Sequence, residues 1–121
     1  MLRTLLLSTL VACSASPSGA TCPTSNAPTY GSFGSNFFTK YCDDCHSSTS
    51  TDRHGAPSDV NFDTLADIQK HVDDIDVTSA GGPNATNTAM PALDQKVTME
   101  PTQAERELLG QFLACVKDGK N

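Results

Sequence analysis

The sequence predicts an all-α domain, because three segments repeat apolar residues at helical spacing and no segment shows the alternation typical of a strand. Stretches rich in glycine, proline, serine and threonine separate the three segments and are typical of loops. About 100 of the residues remain after an N-terminal export signal, which is enough for one domain with one modest core. We therefore expect three main helices in a single domain over residues 30–121.

The first predicted helix begins near Ser32 and leads directly into a pair of cysteines. Its apolar side chains recur at helical spacing, at Phe33, Phe37, Phe38 and Tyr41. The same helix is expected to present Cys42 and Cys45 on its buried face. Residues 47–58 are polar and contain glycine and proline, which predicts a loop.

The second predicted helix is amphipathic and precedes a long loop. Its apolar positions are Phe62, Leu65, Ile68, Val72 and Ile75. Residues 78–92 contain glycines, prolines and small polar side chains, which predicts an extended connection to the last helix.

The last predicted helix has clear signals at both ends. Thr102 and Glu105 form the T-x-x-E pattern of a capping box, and Gly119 is a plausible terminator. The residues between them form an apolar stripe at Leu108, Leu109, Phe112, Leu113 and Val116, with Cys115 on the same face.

The five residues from Cys42 to His46 read CDDCH, the C-x-x-C-H pattern of covalent haem attachment. Two cysteines three positions apart on a helical turn direct both sulfurs to one side, where they can reach the two vinyl groups of one porphyrin. His46 follows at once and can supply an axial ligand to the iron. The motif predicts one covalent haem c, so the expected function is electron transfer and not enzyme catalysis.

Other interpretations of this motif lack their supporting residues. A thiol redox pair needs a depressed thiol pKa, whereas the charges of Asp43 and Asp44 would raise that pKa. A disulfide between Cys42 and Cys45 would leave His46 unexplained. A structural zinc site needs four ligands, and the other candidates are scattered singly along the chain: Cys22, Cys115, His54 and His71. A structural lipoprotein domain without haem is the remaining alternative.

The N-terminus predicts export. Residues 1–12 combine one positive charge with a short apolar run, which is typical of a secretory signal and too short to span a bilayer as a helix. The run ends in LVAC, which resembles a bacterial lipobox in which Cys13 is acylated and becomes the mature N-terminus. A competing cleavage after Ala20, with Ser18 and Ala20 at the recognition positions, would release a soluble protein. Both interpretations predict a periplasmic domain, and residues 13–29 predict a flexible tether.

The five cysteines are an odd number for an exported protein. If Cys13 carries a lipid and the motif cysteines carry haem, Cys22 and Cys115 remain, and we expect them to form a disulfide. The alternative is that Cys115 is a small buried side chain and Cys22 a loop thiol.

The composition excludes one class of partner and agrees with a bulky cofactor. The chain has no tryptophan and only 6% aromatic residues, so it has little large apolar material of its own, and a haem would supply it. Its formal net charge of −6 argues against nucleic acid, which is bound by clustered lysine and arginine.

The order of a helix ending in CxxCH, a middle helix, a Met-Pro loop and a capped last helix resembles a class I c-type cytochrome domain. The resemblance covers residues 30–118 and is strongest to short single-haem domains of bacterial lipoproteins and secreted proteins. It implies that a small all-α domain wraps around one haem and that its first and last helices cross.

The resemblance also implies the iron ligands. His46 is the proximal ligand, and the distal ligand is a methionine on the loop before the last helix. Met90 fits best, because Pro91 biases the preceding residue to an extended backbone that can direct a thioether to iron. Met99 is the rival, at the entrance of the last helix. His54, in a polar loop, and His71, on a face expected to be exposed, are weaker alternatives.

Three functional classes follow from this assignment. The leading prediction is a membrane-tethered periplasmic electron carrier with His/Met ligation, attached through a lipid on Cys13 and serving exported redox proteins. The alternative is a haem subunit fixed to an exported dehydrogenase or oxidase. A peroxidase or ligand sensor with an open sixth position is disfavoured by Met90.

Overall fold

The computed structural model describes residues 16–94 and 96–121. Its regular elements are a π-helical turn (Tyr30–Gly34) and five helices: α1 (Ser35–Tyr41), α2 (Asp43–His46), α3 (Leu65–Gln69), α4 (Val72–Ser79) and α5 (Gln103–Lys117). One antiparallel bridge joins Gly81 and Thr86, and the described residues contain no strand. The all-α prediction is confirmed. The predicted signal at residues 1–12 and the predicted lipid site Cys13 lie outside the described residues.

The first predicted helix is divided into three consecutive pieces. Thr29 begins the π-helical turn with a reciprocal pair of bonds to Ser32. The helix then breaks at Cys42, whose φ of −121° separates α1 from α2. Hydrogen bonding continues across the break, because Cys42 N–H donates to Phe38 O and His46 N–H donates to Cys42 O, both at 2.8 Å. The backbone therefore bends at the motif while its i→i−4 hydrogen bonds continue.

The second predicted helix is also divided. Thr64 caps α3 by accepting a hydrogen bond from Asp67 N–H, and the helix ends at Gln69. His71 has a non-helical backbone, with φ −125° and ψ 16°, and α4 begins after it. Because of this break, the side chain of His71 does not lie on the face that continuous helical spacing from Phe62 to Ile75 would give it. Residues 47–58, in contrast, form the predicted loop.

The last helix follows its sequence signals closely. Both bonds of the capping box between Thr102 and Glu105 are present. Gly119 has a φ of +71°, a left-handed conformation that favours glycine, and Lys120 N–H beyond it donates to Cys115 O. Leu108 is the exception, because it is exposed at the edge of the apolar stripe and not buried within it.

The core lies between the first helical region, α4 and α5. Five of its eleven buried residues are aromatic, and Phe38 contacts both Phe62 and Phe112, at ring-centroid distances of 5.4 and 6.3 Å. The first helical region meets α5 at Gly34, where an added Cβ would lie 2.8 Å from the Phe112 ring. This close approach brings the first and last helices together.

Residues 16–29, predicted as part of a flexible tether, form neither helix nor strand, but residues 18–20, 22–23 and 27–28 are buried or half-buried against the domain. Ser18 is only 1% exposed. Cys22 and Cys115, 93 positions apart, lie at disulfide distance in the pairing that the cysteine count predicted. Ser18 is held against the domain because its N–H and hydroxyl donate hydrogen bonds to the carboxylate of Asp76 on α4. No helix in the described ranges is long and apolar enough to cross a membrane.

Candidate functional site

A cavity of about 420 Å³ lies beside the CDDCH motif. Its wall is formed by the motif, residues 53–57, one side of α4, residues 90–94 and Val97. The volume is within the range of small-molecule sites, roughly 300–1,000 Å³. Four of the predicted site residues meet in this wall: Cys42, Cys45, His46 and Met90.

His46 is oriented by a backbone carbonyl. Its Nδ1 lies 2.9 Å from Val60 O, and because a carbonyl can only accept, Nδ1 must carry the proton. In the neutral imidazole this leaves the lone pair on Nε2, with which no described residue forms a hydrogen bond. The ring also packs against Phe62, with centroids 4.8 Å apart. This is the arrangement that prepares a histidine to bind metal through Nε2.

Arg53 organises the loop that supplies the Val60 carbonyl. Its guanidinium donates to Val60 O at 3.0 Å and to Pro57 O and Ser47 O at 2.6 Å each. Arg53 and His46 therefore share one acceptor, and the loop is fixed against the motif. The sequence contained no local signal for this role, because the carbonyls that Arg53 contacts are spread over several turns.

The two motif cysteines lie in surroundings that disfavour thiolates. Burial raises the pKa of the Cys42 thiol, and the charge of Asp43 raises it further. Burial also raises the pKa of Cys45, followed by the charge of Asp44. Both thiols are therefore protonated at neutral pH, whereas redox-active and zinc-binding cysteines act as thiolates. The structure leaves the two cysteines unpaired with each other.

Met90 is fixed through its backbone. Its N–H donates to Thr78 O and its carbonyl accepts from Arg106 Nη1, both at 2.9 Å. Its side chain lines the cavity and is part of a residue 40% exposed. Met99 does not line the cavity and is 53% exposed. The structure therefore brings Met90, and not Met99, to the motif.

Arg106 is a buried cation that the sequence analysis missed. The residue is 3% exposed, and Nη1 donates at 2.9 Å to the carbonyls of Ser79, Asn87 and Met90. Burial lowers the pKa of its guanidinium. A signal was present, because Arg106 precedes Leu109 by three positions on the apolar face of α5. Arg106 thereby holds the end of α4 to the loop that carries Met90.

The two other histidines also line the cavity. The expectation that His71 lies on an exposed face is wrong, because the break before α4 turns its ring toward Phe62, at a centroid distance of 5.9 Å. His54 does belong to the polar loop, where its Nδ1 lies 3.1 Å from Asp94 Oδ2. His71 is therefore a stronger alternative ligand than its sequence position indicated.

A protein-only metal site is not supported within residues 16–94 and 96–121. No group of three or more His, Cys, Asp or Glu side chains there is placed to hold a metal ion. Two of the four scattered zinc candidates, Cys22 and Cys115, are paired with each other. A porphyrin differs from such a site because it supplies four nitrogen ligands itself and needs only axial ligands from the protein.

Comparisons with protein-family models, with curated proteins and with solved structures found no match to this chain. The resemblance to class I c-type cytochromes therefore rests on the motif residues and on their order along the chain.

Proposed function

We propose that this chain carries one covalent haem c in the cavity beside the CDDCH motif and transfers single electrons in the periplasm. The observation that supports this most is the place of His46 in the cavity wall, with Nδ1 bound to Val60 O and Nε2 available. A bound haem supplies the one-electron iron couple. The partners would be exported redox proteins or an exported dehydrogenase or oxidase.

The residues in the cavity wall fit this group. Cys42 and Cys45 would hold it through thioethers, His46 would bind one axial position, and Met90 would bind the other. The chain's own contribution is to orient these groups: Val60 O fixes the imidazole, while Thr78 and Arg106 fix the backbone of Met90. The apolar side chains of the wall, such as Val60, Phe62 and Ile75, would lower the polarity around a bound haem and so tune its potential.

The decisive experiment measures haem attachment. The full chain is produced in a host with an active cytochrome-maturation apparatus, and the intact mass and pyridine haemochrome spectrum are recorded. We expect a mass increase of one haem and a spectrum of the c type. The Cys42→Ala/Cys45→Ala variant is the control and should lose both signals. Colourless wild-type protein with the mass of the bare polypeptide contradicts the proposal.

The distal ligand is tested by matched methionine variants. Met90→Ala should remove the sulfur-to-iron absorption band of the oxidised protein and lower the reduction potential, because a thioether favours Fe(II). Met99→Ala should leave both unchanged, since Met99 is outside the cavity wall. If the band is absent from wild type and the spectrum changes only in His71→Ala, the ligation is bis-histidine. Rapid carbon monoxide binding by the reduced wild type indicates an open sixth position instead.

A further inference from the structure

Residues 16–22, which we name the N-terminal arm, are bound to the domain by specific polar contacts. Ser18 N–H donates to Asp76 Oδ2 at 2.9 Å, and the Ser18 hydroxyl donates to the other oxygen of the same carboxylate. Ser18 O accepts from Asn84 N–H at 2.9 Å. Asn87 Nδ2 donates to Ser16 O at 2.8 Å. The arm is thus recognised through its backbone as well as through a side chain.

The surface beneath the N-terminal arm is shaped to receive it. An added Cβ at Gly82 would lie 2.5 Å from Ser18 O, whereas one at Gly110 would collide first with Gly81 O and would also lie 2.8 Å from the Ala20 Cβ. A larger side chain at Gly82 would displace the arm, whereas one at Gly110 would collide with Gly81 O whether or not the arm is present. Gly82 therefore permits a close backbone contact with Ser18 and Ala20, and Cys22 closes the far end of the arm through Cys115.

Loss of the N-terminal arm would leave several groups without partners. Asp76 would lose both bonds from Ser18, and Asn84 N–H would lose its acceptor. Two glycines and the buried Ser18 site would become an open groove. A cleavage after Ala20, one of the two predicted positions, would remove most of the arm, including Ser18.

We propose that export processing cuts the chain before Ser16, so that the mature domain keeps the N-terminal arm. Of the two predicted cleavage positions, this selects the one before Cys13. The proposal rests on the export that the proposed function includes, and it concerns the mature N-terminus and not the haem.

Because the N-terminal arm is bound to the domain, any tether from Cys13 is limited to the residues before Ser16, and it is shorter than the predicted tether of residues 13–29. Two residues, Ser14 and Ala15, separate Cys13 from Ser16, and the three Cα–Cα steps between them span at most about 11 Å when fully extended. A membrane anchor at Cys13 would therefore hold the domain close to the lipid surface. The arm binds α4 at Asp76, whereas Thr78 and Ser79 of the same helix line the cavity. The attachment point and the cavity are thus on different sides of α4.

The mature N-terminus is measured on the full chain after export from a bacterial host. Intact mass and the sequence of the N-terminal peptide should identify Cys13 as the first residue, with acyl groups adding to the mass. An N-terminus between Cys13 and Ser16 also supports retention of the N-terminal arm. A chain that begins at Met1, or at any residue after Ser16, overturns the proposal. The haemochrome spectrum of the same sample reports the proposed function separately.

Binding of the N-terminal arm is measured with two aspartate variants, one on α4 and one in an exposed loop. Asp76→Ala should shift the urea midpoint of the mature protein downward, because it removes the partner of Ser18. Asp59→Ala is the control, since this exposed carboxylate contacts neither the arm nor the cavity wall, and its midpoint should equal that of wild type. Equal midpoints for the two variants would show that the arm adds nothing to the fold and would overturn the proposal.

Discussion

The two sides of α4 are built differently. On one side, the N-terminal arm lies against Asp76 and a glycine-lined surface, and a disulfide ties the arm to α5. On the other side, Thr78 and Ser79 face a cavity whose wall consists mostly of loops. We call these the closed side and the cavity side. The closed side is completed by the chain itself, whereas the cavity side is shaped around a volume of about 420 Å³.

The cavity side is ordered by two arginines and not by regular structure. Arg53 binds the carbonyls of the loop after the motif, and Arg106 binds those around Met90. Each guanidinium satisfies several backbone acceptors that have no helix or sheet partner. This design keeps irregular chain in a fixed position around a site, as loops that carry function require. The two sides should therefore lose stability through different changes. The closed side depends on its disulfide, and the cavity side depends on the buried hydrogen bonds of its arginines.

The largest expected effect concerns the disulfide on the closed side. The Cys22→Ala/Cys115→Ala variant should lose roughly 4–5 kcal/mol of unfolding free energy, because the cross-link spans 93 positions and restricts the unfolded chain. Urea unfolding of the variant and wild type, each with and without reductant, measures this loss.

Reductant provides the internal control for the disulfide. It should destabilise wild type to about the level of the variant and leave the variant unchanged. Alkylation of unfolded, non-reduced wild type should also leave Cys22 and Cys115 unmodified. Labelling of both cysteines, or identical stability of wild type with and without reductant, would show that no disulfide between Cys22 and Cys115 stabilises the closed side.

Arg106 on the cavity side should have the next largest effect. Arg106→Met keeps an apolar stem but leaves the carbonyls of Ser79, Asn87 and Met90 without their donor. Because unsatisfied buried acceptors cost about 1–3 kcal/mol each, and some can reach water, we expect a total loss of about 3 kcal/mol. Urea unfolding measures the stability, and the sulfur-to-iron band reports whether Met90 stays in place.

Lys117→Met is the matched control for Arg106, because Lys117 is an exposed cation of the same helix paired with Asp73 at 2.7 Å. An exposed pair contributes at most about 1 kcal/mol. If the two variants lose the same stability, Arg106 does not organise the cavity side.

The sequence predicted the parts of each side that depend on neighbouring residues. The capping box of Thr102 and Glu105 is a local pattern and was confirmed, and the CDDCH motif marked the place of the cavity. The N-terminal arm was not predicted, because its binding depends on Asp76 and Gly82, which lie far from it in the chain.

Two further differences have the same physical origin. Helical spacing predicted that His71 lies on an exposed face. The helix is interrupted at His71, and its side chain lies in the cavity wall instead. Arg106 lay on an apolar face, but buried arginines are rare enough that an exposed position was the default expectation. In both places, contacts between distant segments decided the outcome.

The smallest expected effect is at Glu105, at the start of α5, whose partner Tyr41 lies in the cavity wall. Its carboxylate accepts hydrogen bonds from Thr102 N–H at 2.8 Å and from the Tyr41 hydroxyl at 2.9 Å. The Thr102 bond, helped by Tyr41, lowers the pKa of Glu105 below its usual value of 4.5. Glu105→Gln keeps an acceptor for the capping box but removes the charge, so we expect a loss below about 1 kcal/mol at pH 7.

The pH dependence identifies the cause of this loss. Because the folded-state pKa is lowered, the carboxylate stabilises the fold above the unfolded value of 4.5, and this contribution disappears as the pH falls through the lower folded value. Urea unfolding at pH 7 and pH 3 should therefore show a gap between wild type and Glu105→Gln that narrows on acidification. Glu107→Gln, two positions further along α5, removes an exposed carboxylate bonded to Gln103 and is the control. A gap that widens at low pH, or one of equal size in both variants, would mean that the charge of Glu105 does not link α1 to the start of α5.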